Sequence, residues 1–311
     1  MIQLGNSRPM DGLFQCEYYD IQSTANNTDY RIFVAKPSGA SSSGQRYPVV
    51  YSLDGNLNFA SVMQTHRAMA LGGEVPQSII VGVGYSSDDP LDALVMRQRD
   101  YTFSSGGEVE RIVSRMVDPS PSPQLGGAPA FLEFLTNELK PALSRQYPVA
   151  DGDSTLVGVS LGGLFGGWTL LSAPEAFRNF VLCSPSFWWN QEEIWSVEQI
   201  LASSSTDLPA SVFLSAGALE TAEGSRSQLM AMSENLEGDM RRGVDAMIDA
   251  YDQFGWPRMS EITTEFAHRL RARKYPSLRI HCHNMPDETH TSVGPGAIAR
   301  GFRFLAKSWV P

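Results

Sequence analysis

The sequence has little cysteine, an excess of acidic over basic residues and no long apolar run. It contains three cysteines among 311 residues, and its 34 Asp and Glu outnumber its 24 Lys and Arg. The formal charge of −10 argues against nucleic acid or an anionic membrane surface as a main partner. No apolar run has the length of a membrane span, and residues 1–14 lack the basic and apolar segments of a signal peptide. We therefore expect a cytoplasmic protein without a membrane-spanning segment.

The three cysteines, Cys16, Cys183 and Cys282, lie far apart in strand-like segments. An odd number of distant cysteines is typical of reduced, packed thiols rather than of a disulfide framework. Cys282 lies between His281 and His283, a combination of metal-ligating residue types. Alternate residues of a strand point to opposite faces, so Cys282 cannot join both histidines on one face. The pattern favours a core strand, and we expect no metal and no cofactor.

Strand-like and helix-like segments alternate along most of the chain. The N-terminal part predicts an antiparallel hairpin, with strands at Gln15–Ser23 and Tyr30–Lys36 around an Asn-rich turn. Further strands are predicted at Tyr47–Leu53, Ser78–Gly84, Ser154–Val159, Asn179–Ser184, Ser211–Ser215 and Leu278–His283. Helical spacing occurs between or after them, at Asn58–Leu71, Ala130–Arg145 and Gly296–Lys307. This alternation predicts a single α/β domain over residues 1–311, with a mostly parallel sheet covered by helices on both faces.

Two segments depart from this alternation. Residues 85–127 show no clear period and end in a Pro-, Ser- and Gly-rich run, which is typical of a long irregular segment that either lines a site or is disordered. Residues 224–274 contain two or three predicted helices, interrupted near Gly255, and we interpret them as a helical insertion. Apolar positions between Gly238 and Glu261 fit a lid over the site, a dimer face or packing on the core. The sequence leaves these three roles open.

A Gly-x-Ser-x-Gly pattern follows the strand at Ser154–Val159 and precedes a helix-like segment. This order is typical of a nucleophile elbow, in which a sharp strand-to-helix turn exposes a serine. Gly158 and Gly162 are expected to leave room for the strained turn at Ser160. The helix that starts at Leu161 directs its N–H groups and the positive end of its dipole toward that serine. The pattern alone also fits an ordinary Gly-Ser turn, so the other catalytic groups must be found elsewhere.

Candidate partners of Ser160 lie at the predicted carboxyl ends of other strands, where α/β proteins bind ligands. His290 is the histidine that sits in a polar loop directly after the last strand, a suitable position for a general base. Glu220 follows the strand before the last and is the first choice for the acid that orients His290. Asp287 is the rival acid, and Glu288 is a weaker one. Serine, acid and histidine then occur in the chain order of α/β-hydrolases.

The same edge of the predicted sheet offers candidate oxyanion and substrate contacts. The backbone N–H groups of Leu161 and Asn56 are the expected oxyanion donors. The tryptophans at 188 and 189 fit either stacking on a substrate group or packing in the core, and the arginine at 97 fits either a substrate anion or a surface ion pair. The candidate substrate-binding residues are Asp54, Gly55, Arg97, Trp188 and Trp189.

Several blocks of the sequence are similar to one family. They are Tyr51-Ser52-Leu53-Asp54-Gly55-Asn56, Arg99-Asp100-Tyr101-Thr102, Gly158-Val159-Ser160-Leu161-Gly162-Gly163-Leu164-Phe165, Ser184-Pro185-Ser186-Phe187-Trp188-Trp189 and His290-Thr291-Ser292-Val293. In this order they resemble the esterase family with the α/β-hydrolase fold, and most of all its siderophore esterases, which open enterobactin-type and fungal siderophore esters. Esterase D and the mycobacterial mycolyltransferases are more distantly similar. The resemblance covers nearly the whole chain and implies the triad Ser160, Glu220 and His290, with Asn56 and Leu161 as oxyanion donors.

The sequence differs from that family in two respects. Many siderophore esterases are exported, whereas no export signal is expected here. The segment at residues 238–261 is longer than the family's usual connection between the acid and the last strand.

The residues and the resemblance together predict a cofactor-free serine hydrolase that cleaves carboxylic esters through an acyl-enzyme. The small-molecule substrate is expected to be a siderophore-like, depsipeptide or lactone ester, or a simple acyl ester. An acyltransferase with an alcohol or amine acceptor is the alternative, and a non-catalytic binding module is a third class. We expect a monomer or a homodimer that binds no nucleic acid.

Overall fold

One mixed β-sheet organises the chain. The computed structural model describes residues 2–37, 44–87, 89–115 and 124–306. Within these ranges the strands are β1 (Arg8–Pro9), β2 (Cys16–Gln22), β3 (Asp29–Ala35), β4 (Tyr47–Ser52), β5 (Ile79–Tyr85), β6 (Val149–Val159), β7 (Asn179–Cys183), β8 (Ser211–Gly217) and β9 (Arg279–Met285). Their order across the sheet is β1-β2-β3-β5-β4-β6-β7-β8-β9.

The sheet is antiparallel on one side and parallel over the rest. β2 and β3 form the predicted hairpin, with Cys16 opposite Ala35 and Gln22 opposite Asp29. β3 also pairs in the antiparallel sense with β5. From β5 through β4, β6, β7 and β8 to β9, neighbouring strands are parallel. The carboxyl ends of these strands therefore meet at one edge of the sheet, which is where open α/β sheets bind ligands.

Helices cover both faces of the sheet, as the alternating pattern predicts. They are α1 (Gly55–Leu71), α2 (Pro90–Tyr101), α3 (Glu108–Ser114), α4 (Ala128–Glu133), α5 (Lys140–Gln146), α6 (Leu161–Ser172), α7 (Trp189–Glu192), α8 (Ile194–Ser204), α9 (Ala222–Glu234), α10 (Gly238–Phe254), α11 (Met259–Ala272) and α12 (Gly294–Ala306), and there are two irregular stretches, a π-helical one at Phe134–Leu139 and a 3₁₀ turn at Pro174–Ala176. Alternate residues of β4 belong to two buried clusters, with Val49 and Tyr51 in one and Val50 in the other. α1 and α12 pack on the Val50 side, and α4, α5, α6, α8 and α11 pack on the opposite side.

No helix in the described ranges is long and apolar enough to span a membrane.

The prediction of an irregular segment at residues 85–127 is wrong for its first part. That part contains α2 and α3, whereas residues 116–123 lie outside the described ranges. The inward-facing side of α2 carries a buried polar side chain, Asp100, at a position where an amphipathic helix usually has an apolar residue. The Asp100 carboxylate accepts hydrogen bonds from the hydroxyls of Tyr30 (2.7 Å) and Tyr85 (3.1 Å). Polar groups that satisfy one another in the interior remove the apolar period on which a helix prediction depends.

The predicted helical insertion is occupied by α9, α10 and α11, and the chain turns between α10 and α11 at Gly255, whose φ is 111°. α10 buries Val244, Ala250 and Tyr251. The Tyr251 ring meets the Trp188 ring edge-on, with 5.9 Å between the centroids. α10 also contacts α9 and α3. This helix therefore lies beside the carboxyl edge of the sheet, against the turn that follows β7.

Candidate active site

Ser160 occupies a sharp turn between β6 and α6. Its φ of 59° and ψ of −120° are strained for a residue with a side chain. Its N–H donates to the carbonyl oxygen of Cys183 at 3.0 Å. Its carbonyl oxygen accepts from the N–H groups of Leu164 (3.0 Å) and Ser186 (3.1 Å). The turn is thus held both by the helix that follows it and by the neighbouring strand and its loop.

Two glycines allow this turn to pack closely. A Cβ on Gly158 would lie 2.2 Å from the carbonyl oxygen of Gly162, and one on Gly163 would lie 2.8 Å from Cα of Pro185. A Cβ on Gly162 would meet nothing nearer than 3.4 Å, at the Asp54 carboxylate. The expectation that Gly162 leaves room is therefore wrong, whereas the one for Gly158 is correct. Gly163 makes the second close approach, because α6 begins directly against the loop after β7.

Glu220 and His290 are in direct contact, although 70 positions separate them. His290 Nδ1 lies 2.7 Å from Glu220 Oε2, and the Glu220 side chain is 2% exposed. The other carboxylate oxygen accepts hydrogen bonds from Ser184 Oγ (2.5 Å) and from the N–H of Gly217 (2.6 Å). Three partners therefore fix the orientation of this buried carboxylate.

The rival acids are placed differently. Asp287 is exposed, with a φ of 60°. The carboxylate of Glu288 accepts a hydrogen bond from the hydroxyl of Ser292. The structure therefore pairs His290 with Glu220 and with neither of these two.

The hydroxyl of Ser160 has another serine as its neighbour. Ser160 Oγ lies 3.4 Å from Ser186 Oγ. Within the described part of the chain, the ring of His290 forms its hydrogen bond with Glu220 and none with Ser160. Hydrogen bonds among catalytic groups are often long in the absence of substrate and tighten when it binds. The structure thus joins two of the predicted catalytic side chains and leaves the third at the same edge of the sheet.

The two predicted oxyanion donors belong to the first turns of adjacent helices. α1 and α6 begin at the carboxyl ends of β4 and β6, which are paired in the sheet. N–H groups in a first helical turn, such as those of Asn56 and Leu161, have no acceptor inside their own helix, which makes a helix N-terminus a suitable place for an anion. The side chain of Asn56 is used differently, because it bonds to the backbone N–H (2.7 Å) and carbonyl (3.0 Å) of Tyr85.

Asp54 and Arg97, two of the candidate substrate contacts, bind each other. Arg97 Nε lies 2.7 Å from Asp54 Oδ1 and Arg97 Nη2 lies 3.1 Å from Oδ2. The two side chains are 5% and 14% exposed, so the pair is largely buried. Gly55 packs against β5, where a Cβ would lie 2.9 Å from backbone atoms of Gly82 and Gly84. The pair and the close packing hold the loop that starts α1.

A cavity of about 250 Å³ opens beside Ser160. Of the predicted site residues, Leu161, Arg97, Trp188 and Trp189 also line it. Asp54, Gly55, Asn56, Glu220 and His290 do not. Trp189 is 3% exposed and belongs mainly to the core. The remaining wall includes apolar side chains from three helices, namely Leu94 of α2, Val113 of α3 and Met247 of α10.

Ser184 and Ser186 have no role assigned from the sequence, whereas Met247 is one of the apolar positions of residues 238–261 for which the sequence leaves a lid, a dimer face or core packing open. Ser184 is the last residue of the predicted strand and Ser186 lies two positions beyond it, so their place at the carboxyl end of a strand was a signal that could have marked them. The sequence could not choose among those three roles for Met247, because it lies in the middle of a helix more than 80 positions from Ser160. Its place in the cavity wall depends on how α10 packs.

Most of the chain matches one family of known proteins. The family model described as "putative esterase" matches residues 23–273. The chain is 28% identical to the ferri-bacillibactin esterase BesA of Bacillus subtilis over 91% of this chain and 87% of that protein. It is 26% identical to the siderophore triacetylfusarinine C esterase of Aspergillus fumigatus over 84% of this chain and 82% of that one. The crystal structure of a BES protein from Bacillus cereus matches with a TM-score of 0.71 at 26% identity, covering 97% of this chain and 98% of that one. The chain therefore belongs to the esterase family and has the α/β-hydrolase fold.

Proposed function

We propose that this carboxylic-ester hydrolase uses Ser160 as the nucleophile, His290 as the general base and Glu220 as the acid that orients the histidine. The observation that carries the proposal is the 2.7 Å contact between His290 and the buried Glu220. The strained position of Ser160, at the same edge of the sheet, supports its role. Backbone N–H groups of Asn56 and Leu161 complete the proposed site as oxyanion donors.

The proposed reaction depends on which ring nitrogen of His290 is available to accept a proton. His290 Nδ1 is occupied by Glu220, so Nε2 is the ring nitrogen that takes the proton of Ser160 during attack on the ester carbonyl carbon. The oxyanion of the tetrahedral intermediate accepts hydrogen bonds from Asn56 and Leu161. When the intermediate collapses, the alcohol leaves with the proton from His290. Water then attacks the acyl-enzyme by the same route and releases the acid.

A fluorophosphonate probe tests the nucleophile. The purified protein should be labelled, and Ser160→Ala should abolish both labelling and the hydrolysis of nitrophenyl esters. Ser186→Ala is the matched control, because Ser186 also lines this cavity and its hydroxyl lies 3.4 Å from that of Ser160. Labelling that persists in Ser160→Ala and disappears in Ser186→Ala would overturn the assignment.

For the substrate, we propose siderophore-type esters, with other depsipeptide or lactone esters as the wider class. This rests on the relatives, whose names give ferri-bacillibactin and triacetylfusarinine C as substrates. Acyl transfer to an alcohol or amine is the second candidate, because the same acyl-enzyme serves both reactions. A panel of nitrophenyl esters, lactones and ferric siderophores, each with and without an alcohol acceptor, separates the two by the product formed.

We also propose that the chain is a single domain in which the insertion at 224–274 forms a wall of the site. The presence of Met247 of α10 in the cavity wall supports this role. The cytoplasmic location and a monomeric or homodimeric state are further parts of the proposal. Cell fractionation and light scattering on the purified protein test them.

A further inference from the structure

We propose that the cavity beside Ser160 receives the acyl part of the ester and selects acyl groups without a charge. This inference rests on the proposed function and adds a substrate class to it. The cavity holds about 250 Å³, which suits one compact acyl group and not a whole multi-armed ester. The alcohol part would then remain outside this cavity.

The charge of the cavity wall is already neutralised. Among the described residues that line the cavity, Arg97 alone carries a charge. Both oxygens of the Asp54 carboxylate bind its guanidinium, at 2.7 and 3.1 Å. The guanidinium also lies over the ring of Tyr101, 5.4 Å from the centroid. A negatively charged acyl group would therefore have to compete with a carboxylate that is bound in two places.

The rest of the described wall adds no second cation. Leu94, Val113 and Met247 are apolar, Trp188 presents a large aromatic surface, and the other polar lining side chains, Gln98, Ser114 and Ser186, are uncharged. An ionised group that moves from water into such surroundings loses its hydration and meets polar donors, but no cation that is free to pair with it. The net charge of −10 on the whole chain also lowers the local concentration of anionic substrates. Uncharged acyl groups meet neither penalty.

Trp188 is shared by two cavities. It lines the cavity beside Ser160 and also a neighbouring one of about 640 Å³. Its indole N–H is buried and has no acceptor among the described residues. An uncharged acyl group with a carbonyl or hydroxyl oxygen within reach of that N–H would gain a hydrogen bond.

Three nitrophenyl esters of one chain length test the inference. They are 4-nitrophenyl hexanoate, 4-nitrophenyl methyl adipate and 4-nitrophenyl hydrogen adipate, of which only the last has a charged acyl group. We expect kcat/KM for the charged adipate to be at least tenfold below that for its methyl ester. The methyl ester controls for length and polarity, and the release of nitrophenol reports on the same bond in each case.

A cation installed in the wall should reverse part of this preference. Met247→Lys is expected to raise the ratio of kcat/KM for the charged adipate to that for its methyl ester at least fivefold. Met247→Gln, which has similar length and no charge, should leave the ratio near its wild-type value. Using the ratio removes any common loss from altered folding or altered packing of α10.

The outcomes separate this inference from the proposed function. Equal hydrolysis of all three esters, or a preference for the charged one, would overturn the inference and leave the esterase proposal intact. An unchanged ratio in Met247→Lys would overturn the assignment of this cavity to the acyl group. No hydrolysis of any of the three esters would overturn both proposals.

Discussion

The carboxyl and amino edges of the parallel part of the sheet differ in which residues have a positive φ and in what lines their cavities. At the carboxyl edge, non-glycine residues with positive φ follow four strands, namely Asp54 after β4, Ser160 after β6, Ser184 after β7 and Asp287 after β9. At the amino edge, a cavity of about 380 Å³ is lined by Lys140. Among the described residues that line this amino-edge cavity, the one with a positive φ is a glycine, Gly152.

The difference shows that cavity size does not identify the site. The amino-edge cavity is larger than the one beside Ser160, yet its lysine is engaged by a backbone carbonyl and by the Phe177 ring, 3.7 Å away. At the carboxyl edge, strained residues hold a serine, two free helix N-termini and a buried acid–histidine pair at neighbouring strand ends. Each strained residue costs roughly 1–3 kcal/mol and persists only where its surroundings over-determine it. Four such residues follow parallel strands at the edge where we propose the active site.

The largest effect is expected from a substitution that removes the charge of Glu220, the buried acid at the carboxyl edge. Glu220→Gln should lower kcat by about 10³–10⁴-fold, because an amide no longer holds His290 in the tautomer that leaves Nε2 free. Asp287→Asn is the control and should change kcat less than twofold. Turnover of nitrophenyl esters measures both. A large loss in Asp287→Asn with little loss in Glu220→Gln would contradict the assignment of the acid.

The second effect concerns the buried ion pair beneath the strained turn at Asp54. Asp54→Asn leaves the Arg97 guanidinium buried without its carboxylate, and we expect the free energy of unfolding to fall by about 3–5 kcal/mol. Asp239→Asn is the control, because Asp239 pairs with Arg242 on the surface and is 93% exposed. Urea unfolding should show little change for the control. Equal effects of the two substitutions would mean that burial does not distinguish the pairs.

A smaller effect on stability is expected from substitutions that relieve the backbone strain at Ser160. Ser160→Gly should be more stable than Ser160→Ala by about 1 kcal/mol, because glycine adopts a φ of 59° without the Cβ clash. At the exposed helical position Ala246 in α10, replacing alanine by glycine should instead lower the free energy of unfolding by about 1 kcal/mol. Thermal unfolding of the variants gives both differences. If Ser160→Gly were the less stable variant, the turn would not be strained.

At the amino edge, the buried Lys140 should make the stability of the protein depend on pH. Burial lowers the pKa of Lys140 from its ordinary 10.5 to about 8. Between these values the unfolded chain binds more protons than the folded one, so the free energy of unfolding should rise with pH from about 8 to 10.5. Lys140→Met should remove this contribution and be more stable than the wild type below pH 8. Urea unfolding at several pH values checks it, and parallel pH profiles for the two proteins would contradict it.

Much of the fold could be predicted because its signals are local. The apolar run before Ser160, the close approach at Gly158 and the helix after it lie within a few positions of one another. The hairpin β2–β3 follows from alternation around a short turn in the same way. α2 could not be predicted, because its Asp100 is satisfied by tyrosines from β3 and β5, and this network replaces the apolar stripe of an ordinary helix.

The sequence by itself determined the elbow, the strand–helix alternation and the set of polar residues at strand ends, because neighbouring residues dictate these features. Only the tertiary structure decided which acid meets His290. Asp287 is three positions away and exposed, whereas Glu220 is 70 positions away and bonded to it. Tertiary packing likewise pairs Arg97 with Asp54 across 43 positions and brings Met247 into the cavity wall. Such contacts depend on how the sheet and helices pack, and residue spacing along the chain carries no record of that packing.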